Sequence, residues 1–231
     1  MQEIKYPEIK LHKGKALELS DFRDMDYYAV NQYELPIELM MENAGLHLAS
    51  VVTSKTDLSK TIKIGVGNGN NGGGGLVAAR RLASWGYKVY IDAFTEITRE
   101  LPLLQLKRAL KFGVSLENIS NPDVWIDAYL GFSQRLPLKE ALETRIIKAN
   151  ESDCLQISLD IPTGFLGDIK VKYFKADTIL SLAAPKKITF NLPDKVELLV
   201  ADLGIPHTVY KTFGVEILPF HTGRIIKIDR S

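Results

Sequence analysis

Apolar residues recur with two different periods along the chain. Ile37, Met40, Met41, Ala44, Leu48, Val51 and Val52 fall at spacings of three, four and one. That is one apolar stripe of a helix with 3.6 residues per turn, and it predicts a helix over 36–54. Pro36 stands near its start, where a missing N–H costs nothing. A second helix is expected over 20–34. From residue 61 the pattern changes to short apolar, β-rich runs alternating with longer helical ones. Strands are expected at Thr61–Val66, Tyr87–Ala93, Val124–Leu130, Leu155–Asp160, Thr178–Leu182 and Val196–Asp202. Helices are expected at Leu76–Trp85, Glu100–Phe112 and Leu138–Ala149, with Gly86 and Gly113 at stop positions. Lys186–Lys195 reads as a connection, and Arg224–Arg230 as an edge strand or a disordered end. Nearly continuous apolar strands alternating with helices imply an α/β fold, its mostly parallel sheet covered on both faces. In such sheets ligands bind at the carboxyl ends of strands. The residues that follow each strand are therefore the candidates for function.

Composition narrows the classes. The 231 residues are 45% hydrophobic and 25% charged, with a formal net charge of +1. That balance argues against a protein that coats nucleic acid. Four His and one Cys, Cys154, provide no thiolate cluster for structural zinc and no disulfide framework. The single Cys fits a reducing, cytoplasmic compartment. No run approaches ~18 apolar residues, so no membrane span is expected. Met1–Pro7 lacks the basic and apolar regions of a secretory signal. The four His lie outside the strand-end loops, so they are expected to have core or surface roles.

The first strand runs into Gly67-Asn68-Gly69-Asn70-Asn71-Gly72-Gly73-Gly74-Gly75, six glycines in nine residues. Glycine lets a backbone approach a ligand closely. Consecutive N–H groups ahead of a helix bind anions, so a phosphorylated nucleotide is expected here. Gly67, Gly69 and Gly72 also form a G-x-G-x-x-G, with Asp92 following 20 residues later at a strand end. That spacing fits a dinucleotide fingerprint in which Asp92 holds a ribose hydroxyl. It leaves an NAD-dependent dehydrogenase as one reading. No Gly-Lys-Ser/Thr follows, so the loop is not a P-loop. Asp127 and Asp160 each end an apolar strand, which brings both carboxylates to one sheet edge.

The ordered motifs resemble the YjeF N-terminal domain family, the NAD(P)H-hydrate epimerases. Gly67–Gly75 resembles its G-P-G-N-N-G-G-D-G loop, and Leu39–Gly45 its L-M-E-x-A-G segment. Leu76–Arg80 is similar to L-V-A-A-R, Asp127–Phe132 to D-A-L-F-G, and Asp160–Gly164 to D-I-P-S-G. Ala183–Lys186 matches an A-P-K element and Asp202–Pro206 a D-I-G-I-P. The resemblance runs from about residue 17 to 215, nearly the whole chain.

It implies a three-layer α/β/α Rossmann-like sandwich with a helical extension over 1–58 and an α/β core over 59–231. It implies an isomerase that interconverts the R and S epimers of NADHX and NADPHX, reduced cofactors hydrated on the nicotinamide ring. A separate NAD(P)H-hydrate dehydratase would consume the S epimer, and the protein would be a homodimer. By the same resemblance Asn70, Asn71, Gly72, Gly73 and Gly74 line the substrate. So do Gly131, Phe132, Ser133, Gln134, Arg135, Leu136 and Pro137. Asp160 contacts the substrate near the reacting ring, with catalytic roles for Asp160 and Arg135. Asn71, Asp127 and Thr163 hold a potassium ion, offering the amide, carboxylate and hydroxyl oxygens that a hard cation takes. The reaction would pass through loss of the hydroxyl or through ring opening. Two positions depart from the family: Gly74 replaces the acidic residue of G-G-D-G, and Arg135 stands where relatives often carry Lys. They leave a catalytically degenerate nucleotide-binding or dimerisation module as an alternative.

Overall fold

The structure, a computed structural model, describes residues 5–216 and 218–230. The first four residues of the expected extension, and Ser231 at the end of the core, lie outside the described residues. Eight strands form one sheet: β1 (Glu8–Lys10), β2 (Thr61–Val66), β3 (Lys88–Ala93), β4 (Val124–Ala128), β5 (Leu155–Leu159), β6 (Thr178–Leu182), β7 (Glu197–Ala201) and β8 (Ile225–Asp229). Their spatial order is β1-β8-β7-β6-β5-β4-β2-β3. Every adjacent pair is parallel except β7 with β8. The helices are α1 (Leu19–Tyr33), α2 (Ile37–Lys55), α3 (Asn70–Ser84), α4 (Glu100–Lys111), α5 (Glu140–Asn150) and α6 (His207–Thr212).

Each face of the sheet carries its own apolar core, as expected for a doubly covered sheet. On one face Ile62, Ile64 and Val66 of β2 pack with Leu76 and Leu82 of α3, Val51 and Val52 of α2, and Ala109 of α4. On the other, Trp125 packs with Phe22 and Met25 of α1, Leu142 and Ile146 of α5, and Val209 of α6. The result is three layers, α/β/α. No helix among the described residues is long and apolar enough to cross a membrane.

The structure corrects two expectations. Arg224–Arg230 is neither an edge nor disordered, because β8 lies between β7 and β1. The true edge strand, β1, has only the sequence Glu-Ile-Lys. Three residues with one apolar position carry no readable period. Lys186–Lys195 is a connection, as expected, with a 3-10 turn at Lys187–Asn191.

The second correction concerns the glycine cluster, six of whose nine residues lie in a helix. α3 begins at Asn70, not Leu76. Gly disfavours helix by about 1 kcal/mol per residue relative to Ala, which is why the pattern reads as a loop. Packing overrides that preference. A Cβ on Gly72 would collide with the Gly67 carbonyl, and one on Gly75 would stand 2.6 Å from the Ala128 Cβ. The glycines let α3 lie directly on β2 and β4 and against α2.

Candidate functional site

Strand order reverses around β2, with β3 on one side and β4 on the other. The crevice of a doubly wound sheet opens at such a point, beyond the carboxyl strand ends. Four segments meet there: the start of α3, the end of β4 with its following loop (127–137), Asp160–Gly164 after β5, and Ala183–Lys186 after β6.

Asp127 is the penultimate residue of β4 and is fully buried. Its Oδ2 accepts from Ser158 Oγ at 2.6 Å and from Thr163 N at 2.7 Å. Its Oδ1 accepts from Thr163 Oγ1 at 2.6 Å and from Tyr129 N at 3.3 Å. Burial pushes this carboxyl up to about 6, against the pull of those hydrogen bonds. Asn71, in the first turn of α3, donates through Nδ2 to Leu130 O at 2.9 Å and to Leu159 O at 3.3 Å. Leu130 N in turn donates to Thr163 Oγ1 at 3.2 Å. Asn71, Asp127 and Thr163 therefore belong to one hydrogen-bonded cluster. Asn71 Oδ1 is buried and has no hydrogen-bond partner. An orphaned buried oxygen costs ~1–3 kcal/mol unless something meets it. With the Asp127 carboxylate and the Thr163 hydroxyl close by, the donor set fits a hard monovalent cation.

Asp160 follows β5 with φ +71°, in the left-handed region that disfavours side chains. Strain of this kind costs ~1–3 kcal/mol and persists where its surroundings fix it. Here Asp160 N donates to Leu180 O at 2.8 Å, and Asp160 Oδ2 accepts from Phe132 N at 2.8 Å. Gly131 makes room, because a Cβ there would stand 3.0 Å from Asp160 Oδ2 and 3.2 Å from the Asn71 side chain. The carboxylate thus lies beside the glycine-rich start of α3.

A residue without an assigned role completes the centre. Lys186 is 0% exposed, and its Nζ lies 2.7 Å from Asp160 Oδ1. The same ammonium donates to Leu182 O at 2.6 Å and to Ser181 Oγ at 3.2 Å. The Phe22 ring of α1 covers it, with its centroid 3.7 Å away, a cation–π contact. Burial pulls the Lys186 ammonium below the usual lysine range, while Asp160 and Asp26 oppose that pull. Burial likewise raises Asp26, which lies near enough to feel both charges. The sequence signal was a lysine closing the apolar run Ala183-Ala184-Pro185, directly after a strand.

The other expected positions divide. Gly72, Gly73 and Gly74 are buried in α3, Asn70 is exposed at its start, and Asn71 is half-buried. Gly74 faces Leu159 Cδ2 at 3.1 Å and Ala44 Cβ at 3.8 Å, an apolar seam. Gln134 turns inward, donating to Pro162 O and Phe165 O and accepting from Gly164 N, so it pins the two loops together. Ser133, Arg135, Leu136 and Pro137 form an exposed rim. Arg135 makes no polar side-chain contact among the described residues, whereas Phe132 stacks edge-on against Phe22 at 5.0 Å. Asp92 is already engaged: it accepts from Tyr129 OH at 2.7 Å and pairs with Arg145 Nε at 2.9 Å. It is therefore not a free ribose acceptor of the dehydrogenase type.

Comparison with known proteins bears on the family and the fold. Residues 37–188 match the family profile described as YjeF-related protein N-terminus. The chain belongs to this family. An NAD(P)H-hydrate epimerase of Dehalogenimonas lykanthroporepellens is 33% identical, over 90% of this chain and 91% of that protein. A bifunctional NAD(P)H-hydrate repair enzyme, Nnr, of Thermofilum pendens is 32% identical over 82% of this chain, which spans 38% of that longer protein. The crystal structure of yeast YNL200c superposes with a TM-score of 0.82 at 24% identity, covering 92% of this chain and 99% of that one. The shared fold thus extends beyond residues 37–188.

Proposed function

We propose that this protein is an NAD(P)H-hydrate epimerase, an isomerase that interconverts the R and S forms of NADHX and NADPHX. The observation that carries this reading is the buried Asp160 carboxylate, fixed on both oxygens beside the glycine-rich start of α3. The N–H groups that open α3 are suited to the substrate's phosphates. The rim from Ser133 to Pro137 borders the same crevice, where Arg135 offers a geometry matched to phosphate.

In the reaction, the ring nitrogen's lone pair forms a C=N bond as the C–O bond to the hydroxyl breaks. Asp160 supplies the proton with which the hydroxyl leaves as water. Water then adds to the opposite face and Asp160 takes up its proton. The developing positive ring faces a preorganised carboxylate, which stabilises it. Potassium, held by Asn71 Oδ1, Asp127 and Thr163, would supply a fixed positive charge that orders the start of α3 against the loops after β4 and β5.

A separate dehydratase would consume the S epimer. The free Cys154 supports a reducing, cytoplasmic setting. The exposed Tyr27 and Tyr33 of α1 and Leu39 of α2 support a homodimer through the helical extension. Sedimentation velocity tests that, a monomer at micromolar concentration being the contrary result. For the activity, purified R-NADHX is incubated with the protein and resolved chromatographically. Rapid approach to the R/S equilibrium is expected, and an unchanged R peak over that period excludes the reading.

A further inference from the structure

The ion pair between Lys186 and Asp160 sits where a proton must move. Lys186 is 0% exposed and Asp160 1%. The ammonium has three N–H bonds and meets three acceptors: Asp160 Oδ1, Leu182 O and Ser181 Oγ. Its remaining side lies against the Phe22 ring. A neutral amine would turn a lone pair toward one of those acceptors, so the surroundings select ammonium and carboxylate at rest. The two carboxylate oxygens are not equivalent. Oδ2 is held by Phe132 N, whereas Oδ1 has no hydrogen-bond partner beyond its ionic contact with Lys186.

We infer that Lys186 is the proton reservoir for Asp160, exchanging one proton with Oδ1 in each half of the epimerisation; this rests on the epimerase reading above. In the first half an N–H bond of Lys186 breaks and its proton joins Oδ1. That proton passes to the substrate hydroxyl, whose C–O electron pair leaves with oxygen as water. The ring nitrogen's lone pair becomes the new C=N bond, leaving the ring positive, Asp160 negative and Lys186 neutral. In the second half water forms a C–O bond on the opposite face. Its proton goes to Oδ1 and then back to Lys186. No atom or electron is gained or lost.

Charge bookkeeping in the low-dielectric site favours this route. The positive charge moves from Lys186 to the ring and back, so the site stays neutral throughout. A water-free carboxylic acid beside a permanent ammonium would leave an uncompensated charge at rest, which burial penalises. Arg135 cannot substitute, since it makes no contact with Asp160 and a guanidinium does not deprotonate.

Lys186→Met removes the charge and the proton; Lys186→Arg keeps the charge and removes the exchangeable proton. Both are assayed for kcat and KM on R-NADHX, with thermal unfolding to confirm folding. The inference predicts that both lower kcat by ~10²-fold or more, with KM changed only a few-fold. Near-wild-type kcat in Lys186→Arg would mean that charge alone suffices, and would overturn it, as would an active Lys186→Met. If neither variant folds, the proton inventory of the wild type in mixed light and heavy water decides. A linear dependence with a normal isotope effect on kcat, one proton in flight at a time, supports the relay, and a kcat insensitive to heavy water refutes it. A wild type with no epimerisation at all would instead remove the epimerase reading on which the relay stands.

Discussion

Phe132 N donates to Asp160 Oδ2 at 2.8 Å, joining the loop after β4 to the end of β5 across the crevice. The bond fixes the side chain to which the proposed reaction assigns the proton transfer. Asp160→Asn keeps the shape and can still accept that N–H, but sets an amide donor or a neutral oxygen against the Lys186 ammonium. A ~10²–10⁴-fold fall in kcat is expected in a protein that remains folded by circular dichroism. Wild-type turnover in that variant would remove Asp160 from the chemistry.

The glycine-rich start of α3 should respond unevenly to added methyl groups. A Cβ on Gly75 meets the Ala128 Cβ at 2.6 Å and Val66 Cγ1 at 3.2 Å, atoms of the sheet. Gly75→Ala should lose ~1–3 kcal/mol by urea unfolding, because the helix must lift from β4. At Gly73 the nearest atoms belong to the end of the flexible Met41 side chain, at 2.5 and 2.6 Å. Alanine's better helix propensity, about 1 kcal/mol, should offset much of that contact. Equal losses at both positions would contradict the packing described for α3.

The orphaned Asn71 Oδ1 predicts a specific ion effect. Potassium should raise the thermal midpoint of the wild type over lithium at equal ionic strength, since a ligand bound only by the native state stabilises it. Asn71→Ala should abolish the difference. Identical midpoints in potassium and lithium for the wild type would leave the cluster without a cation.

Far from the site, Asp123 offers a test of acid stability. Thr61 N and Thr61 Oγ1 donate to its Oδ2 at 2.8 and 2.9 Å, and Lys60 meets Oδ1 at 3.0 Å. These bonds, the Thr61 N–H foremost, lower its carboxyl from 3.8 to about 2. A depressed carboxylate pKa contributes stability that is present above the unfolded value and lost as pH falls through the folded one. The wild type should therefore exceed Asp123→Asn in stability above pH 4, and the gap should close toward pH 2. A gap independent of pH would assign the effect to packing.

Much of this fold was legible because burial on both faces leaves long apolar runs. β2 and β6 have the bounds that the pattern predicts, and α2 differs by one residue at each end. The start of α3 was hidden because the energy that makes Gly72 to Gly75 helical lies in contacts with β4 and α2, which no local propensity encodes. β1 was too short to show a period, and β8 looked like an edge because its neighbour β1 was unseen. At the site, Asp127 and Asp160 could be placed from their strand ends. Lys186 was not legible as the companion of Asp160, because its pairing depends on strand adjacency and on Phe22 of α1, about 160 residues earlier in the chain.

The most direct test follows consumption of a mixed R and S NADHX pool by an S-specific dehydratase, with and without this protein. An epimerase in the mixture should drive the whole pool to NADH at a rate proportional to its concentration. Consumption that stops at the S fraction, with the R form left to its slow spontaneous conversion, would contradict the account.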